Sequence, residues 1–170
     1  MSRAFVREAD GDAAEDLPPL PESPHPNRVT PAGLGRLHRR LDEALRRRSL
    51  RRSAAEDPSL AGEGHRRDER ELAREIAWLE RRIASAIVEP PPADRSRIAL
   101  GARVSVEDGH GALKTWQIVG EDDAAPEQGR ISWMSPLARA LEGARAGDSI
   151  EWSRPAGDQE LLVREVGYEE

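Results

Sequence analysis

Thr30-Pro31-Ala32-Gly33-Leu34-Gly35-Arg36-Leu37-His38-Arg39-Arg40-Leu41-Asp42-Glu43-Ala44-Leu45 decides the fold. The Thr hydroxyl can accept from a free N–H at a helix start, and Pro suits the first helical position. Leu34, Leu37, Leu41 and Leu45 then recur at spacings of three and four, so one stripe of a helix is apolar while Arg36, Arg39, Arg40, Asp42 and Glu43 face away. The pattern decays after Leu50. A second stripe of the same period, Leu72, Ile76, Leu79, Ile83 and Ala86 or Ile87, runs to a stop at Pro90-Pro91-Pro92. Between the two lies Ser53 to Gly64, with Pro58, Gly62 and Gly64. Two narrow facing stripes joined by a polar segment predict an antiparallel hairpin of helices. A first arm reaching Ser53 would be about 35 Å long. Packing of both helices onto a sheet is the alternative, and Trp78, off the main stripe, would serve either arrangement.

Outward from the hairpin the composition changes on both sides. Residues 1–29, with Asp10, Asp12, Glu15 and Asp16 ahead of Pro18, Pro19, Pro21, Pro24 and Pro26, have too few apolar side chains for a core and read as a flexible acidic, Pro-rich arm. Residues 30–89 form the hairpin and 90–96 a linker. From Arg97 short alternating segments predict strands at Ala102 to Val106, Thr115 to Val119, Arg130 to Trp133, Ser149 to Trp152 and Glu160 to Val166. Turns at Asp108 to Gly111, Pro126 to Gly129 and Ala146 to Asp148 separate them, and Ser135-Pro136 opens a short helix that Gly143 can end. The expected fold class is α+β: a coiled-coil hairpin, then an antiparallel sheet of about five strands with one short helix over residues 97–170, with Trp116, Trp133 and Trp152 filling its core.

Several function classes are excluded or disfavoured. Cysteine is absent, so there are no disulfides, thiolate metal sites or cysteine nucleophiles. No apolar run is long enough for a membrane span or a secretory signal, and the expected location is the cytoplasm. His25, His38, His65 and His110 have no metal-ligand spacing, and no phosphate loop or nucleophile elbow is present. A free-standing enzyme is therefore disfavoured. The net charge of −6 is uneven. Residues 30–89 carry fourteen Arg against eleven acids, and Arg46, Arg47, Arg48, Arg51 and Arg52 concentrate the excess. That cluster is the candidate polyanion contact, a solvated helix face being the other reading.

Gly101-Ala102-Arg103-Val104-Ser105-Val106, Trp116-Gln117-Ile118-Val119-Gly120-Glu121-Asp122-Asp123-Ala124 and Ile131-Ser132-Trp133-Met134-Ser135-Pro136-Leu137-Ala138-Arg139-Ala140-Leu141 resemble the C-terminal domain of GreA/GreB factors. Met1-Ser2-Arg3-Ala4-Phe5-Val6, Ser23-Pro24-His25-Pro26-Asn27 and Val29-Thr30-Pro31-Ala32-Gly33-Leu34 resemble a GreB-like branch with an acidic N-terminal extension. The resemblance implies an FKBP-like C-terminal domain behind the hairpin. It also implies a monomer that binds bacterial RNA polymerase through the secondary channel and stimulates the polymerase's own transcript cleavage in backtracked or paused complexes, with no cofactor of its own.

On that resemblance, Glu56 and Asp57 at the tip would be the catalytic carboxylates, Asp57 sharing the magnesium of the polymerase active site. Ser135, Pro136, Leu137 and Ala138 would contact the polymerase rim, and Arg46 to Arg52 the nascent RNA or the channel wall. The tip departs from the family pattern, since the position three after Asp57 is Leu60 and not an acid. A non-cleaving channel binder that competes with active Gre factors is thus the alternative. A prolyl isomerase, suggested by the FKBP-like fold alone, is a third class.

Overall fold

The computed structural model describes residues 17–54 and 63–169. Helix α1 (Pro31–Ala54) opens as its sequence predicts, with the Thr30 hydroxyl accepting from Gly33 N at 2.9 Å. It pairs with α2 (Glu63–Ala84) along a seam in which Leu37, Ala44, Leu72, Ile76 and Leu79 are buried and Leu34, Leu41, Leu45 and Ile83 pack at the margins. Leu50, beyond the end of the stripe, is exposed. The seam is reinforced from its flanks, where Arg47 donates to Glu75 at 2.9 Å and Arg51 to Asp68 at 2.7 Å.

Two expectations about the ends of the hairpin need correction. The stripe is expected to continue to Ala86 or Ile87; Ala86 does pack at its margin, but α2 ends at Ala84 and Ile87 is half exposed in a short strand. That strand, β2 (Ile87–Val88), pairs in parallel with β1 (Arg28–Val29). The pairing takes the backbone away from the helix, since Ile87 N donates to Asn27 O and Glu89 N to Val29 O. Meanwhile Asn27 Nδ2 donates to Arg82 O at 2.7 Å, capping one of the carbonyls that the helix end leaves open. The boundary drawn at residue 29 thus falls inside a strand pair. Of the segment read as a flexible arm, residues 17–29 lie against α2 and the hairpin base, with Asn27 and Val29 buried.

The second layer is a five-stranded sheet of β3 (Ala102–Asp108), β4 (Leu113–Val119), β5 (Arg130–Ser132), β6 (Ser149–Trp152) and β7 (Gln159–Tyr168), in the order β5-β4-β3-β7-β6. The strands fall where alternation predicts them. The sheet is antiparallel except at one edge, where β5 runs parallel to β4 because two 3-10 turns, Glu121–Asp123 and Pro126–Gln128, carry the chain back across.

A bulge between β3 and β7 sets the inward face. Ser105 pairs with Glu165 and Val106 with Val163, so Arg164 is the extra residue and the inward positions step from Leu161 and Val163 to Val166. Helix α3 (Pro136–Leu141) places Leu137, Ala138 and Leu141 on that face, over Val104, Ile118, Ile131 and Val163. The fully buried centre is aliphatic, and Trp116, Trp133 and Trp152 pack against it from its rim.

Candidate functional site

Three surfaces carry the residues singled out by sequence. On α1, the arginine cluster divides by partner. Arg47 and Arg51 reach Glu75 and Asp68 of α2 while staying about half exposed, and Arg46 and Arg52 are exposed as well. A helix period of 3.6 separates these pairs, so five basic residues in a run of seven give only part of their charge to any one partner. The segment that joins the two arms contains Glu56 and Asp57, which lie outside the described residues. Among the described residues no group of three or more His, Asp or Glu could hold a metal ion.

In the sheet domain, Ser135 is the N-cap of α3 and its hydroxyl accepts from Ala138 N at 3.2 Å, with Pro136 in the first helical turn. Ser132 braces the same turn by accepting from Met134 N at 3.0 Å. Pro136 is exposed, but Leu137 and Ala138 are buried in the sheet core. Their side chains fix the pose of the segment and leave Ser135 and Pro136 as the part of it that another molecule can reach.

The third surface joins the hairpin to the sheet and was not singled out by sequence. Arg82, on α2, is buried and donates from Nε to Asp122 at 2.6 Å and from Nη2 to Asn27 Oδ1 at 2.8 Å. Arg36, on α1, donates from Nε to Asp123 at 2.6 Å and makes a second, parallel bond to the same carboxylate. The 3-10 turn thus holds one arm of the hairpin with each of two adjacent acids. The forked pair of Arg36 with Asp123 defines an angle as well as a distance.

Beside them, Arg28 donates to both oxygens of Glu89 at 2.6 and 2.7 Å while its guanidinium lies 4.6 Å from the centroid of the Trp133 ring. The hydrogen bonds from Arg28 hold the Glu89 carboxyl below its ordinary value, and Glu89 raises Arg28 in return. Gly120 lies where the chains touch, since a Cβ there would come 2.8 Å from Arg28 O. Of the histidines, His25 belongs to this junction, with Nδ1 3.4 Å from Glu121 and its ring edge-on to Trp133. The signal available in the sequence was the acidic pair Asp122-Asp123 ahead of a strand. Nothing in the spacing says which arginines meet it.

This architecture, a helical hairpin locked by ion pairs to a curled, mostly antiparallel sheet with one short helix, can be set beside known proteins. Residues 93–168 match the family described as "Transcription elongation factor, GreA/GreB, C-term". The chain is 34% identical over 154 residues to transcription elongation factor GreB of Xanthomonas axonopodis pv. citri, covering 82% of this chain and 90% of that protein. It is 38% identical over 101 residues to GreB of Neisseria meningitidis serogroup A, covering 58% of this chain and 62% of that relative, less than two thirds of its length. Among solved structures, GreA factor homolog 1 of Thermus thermophilus aligns over 84% of this chain and 99% of that one, with 23% identity and a TM-score of 0.39. The chain belongs to the GreA/GreB family of transcription elongation factors.

Proposed function

We propose that this chain is a Gre-type elongation factor that binds bacterial RNA polymerase through its secondary channel and acts on backtracked or paused complexes, where it stimulates the polymerase's own transcript cleavage. The observation that carries the reading is the hairpin. Its arms have 24 and 22 residues, and the segment joining their far ends contains Glu56 and Asp57. At 1.5 Å per residue the longer arm spans about 36 Å, enough to carry carboxylates well away from the sheet. Carboxylate oxygens are hard ligands suited to magnesium, and the polymerase's ion supplies the activated water of phosphodiester hydrolysis. In this reading Glu56 and Asp57 orient and complete that site, Ser135 and Pro136 meet the channel rim, and Arg46 and Arg52 meet nascent RNA or the channel wall. The protein is an accessory monomer and the polymerase is the enzyme.

The cavity beneath Trp133, lined by Leu100, Ile118 and Ala138, has about 10 Å³, room for a water and not for a prolyl ring. One observation favours a second reading: Leu60 occupies the position three after Asp57, so the tip has adjacent acids in place of spaced ones. On that reading the protein enters the channel without promoting cleavage and competes with active Gre factors.

Purified backtracked complexes decide between the two. Added protein should shorten the RNA, and Glu56→Ala with Asp57→Ala should abolish shortening while leaving polymerase binding intact. Binding and competition without shortening would establish the second reading, and absence of binding would overturn both.

A further inference from the structure

Arg36, Arg39, Arg40 and Glu43 recur at helical spacing along one side of α1. Together with the turn Glu121–Asp123 they line a crevice of about 300 Å³ between the hairpin and the sheet domain, which Arg130 of β5 completes. That volume is at the lower end of what small-molecule sites offer, about 300–1,000 Å³. Arg36 is committed to Asp123, and Asp122 to Arg82. Arg39, Arg40 and Arg130 have no carboxylate partner among the described residues, and the one remaining acid of the lining, Glu43, is exposed.

Three guanidinium groups against one exposed carboxylate leave the crevice electropositive, although the chain as a whole carries −6. Contacts other than ion pairs set their poses. Arg39 folds back toward the start of α1, with Nη1 3.5 Å from where a Cβ on Gly35 would stand. Arg40 lies 5.4 Å from the centroid of the Trp78 ring, a contact that orients a cation without neutralising it. Arg130 has its Nε buried with no hydrogen-bond partner among the described residues. A buried N–H in that state is unfavourable, and an anionic oxygen is the acceptor that relieves it best. One carboxylate cannot fill the forks of three guanidinium groups, whereas two linked phosphoryl groups present oxygens on several sides and a matching multiple charge.

We propose that this crevice binds a small anion carrying a diphosphate group, with Arg39 and Arg40 contacting it from the hairpin and Arg130 from the sheet domain. The site is distinct from the exposed Arg46 and Arg52 further along α1, because it lies between two layers and draws one of its donors from β5. A crevice of this size selects a compact ligand over an extended polymer. Held from both layers, the ligand ties α1 to β5 and adds to the junction that Arg36 and Asp123 already make. The proposal does not rest on the polymerase reading, because the free protein suffices to test it.

The test titrates the full chain by calorimetry with pyrophosphate, with uridine diphosphate, and with sulfate at matched ionic strength. A diphosphate should bind and raise the melting temperature as it saturates the protein, and sulfate should do neither. Equal affinity for the two diphosphates identifies the free anion as sufficient, and tighter binding of uridine diphosphate identifies a nucleotide as the source. Arg39→Gln and Arg130→Gln should each weaken binding by about tenfold, the loss of one charge-assisted contact. Their urea midpoints without ligand should stay near that of the parent, because neither side chain has an ion-pair partner to lose. Arg46→Gln with Arg52→Gln removes charge from the same helix but leaves the crevice intact, and this variant should bind as the parent does. No binding of either diphosphate, equal binding of sulfate, undiminished binding by Arg39→Gln and Arg130→Gln, or equal weakening by the Arg46→Gln and Arg52→Gln pair would each overturn the proposal.

Discussion

Arg82 and Asp122 meet at 2.6 Å with 4% and 14% of their side chains exposed, and this pair holds the second arm of the hairpin to the sheet domain. Removing one partner of a pair so little hydrated strands the other. Arg82→Ala should therefore lower stability by about 3 kcal/mol, since it unpairs both Asp122 and Asn27 Oδ1. Urea unfolding reads the loss. Arg82→Lys should recover only part of it, because an ammonium cannot reproduce the two directed bonds of the guanidinium. A midpoint in either variant equal to that of the parent would show that the junction is held by other contacts.

Gly120→Ala tests the same junction from the other side. Its Cβ would meet the backbone oxygen of Arg28 at 2.8 Å, and backbone of a paired strand has little room to yield. The expected cost is about 1–3 kcal/mol. Gly109→Ala is the matched control, in a turn where a Cβ meets nothing within 4 Å, and its melting temperature should stay near that of the parent.

Acid should weaken the fold through identifiable carboxylates. Glu89 is held below its ordinary value by the hydrogen bonds from Arg28. Glu107 is lowered by its bond from Arg164, and Asp108 by the backbone N–H groups of Ala112 and His110. A carboxyl whose folded pKa lies below its unfolded one contributes stability above the unfolded value and loses it as pH falls through the folded value. Stability should accordingly be level near neutrality and decline below about pH 4. Asp108→Asn, which keeps the accepting oxygen but not the charge, should flatten that decline when urea unfolding is repeated across the acid range.

The segment opening α3 separates stability from recognition. Ser135→Ala should cost about 1 kcal/mol through loss of the cap on Ala138 N. Pro136→Glu, at an exposed first-turn position, should leave thermal unfolding nearly unchanged yet weaken polymerase binding in a pull-down or by fluorescence anisotropy. Retention of full binding by that variant would remove this segment from the contact surface.

What could be read from the chain in advance was whatever has a period. The leucines of α1 and the mixed aliphatic stripe of α2 announce two narrow seams, and alternation along residues 102–106 or 149–152 announces strands, because local geometry writes those patterns directly. Ile87 misleads for the same reason: it continues the helical spacing, but its backbone is claimed by Asn27, sixty residues earlier in the chain. Long-range partners leave no such mark. Nothing near Arg82 distinguishes it from Arg81, yet one is buried against Asp122 and the other lies half exposed beside Glu22. The site was legible as a list of residue types, with Ser135 as a cap and the arginines of α1 as a charge excess. The surface ion pairs that Arg47 and Arg51 make with α2, and the withdrawal of Leu137 and Ala138 into the core, required the packing.

The parallel pair of β1 and β2 brings the chain entering the hairpin and the chain leaving it to one point, where Arg36, Arg82 and Arg28 also act. The hairpin is therefore a lever with a single pivot. For an arm of about 36 Å, a tilt of about 5° at the pivot moves the far end by roughly 3 Å. The direction of both arms is thus set at the opposite end of the molecule, and a substitution at the junction that leaves the arms themselves intact can still redirect their far ends.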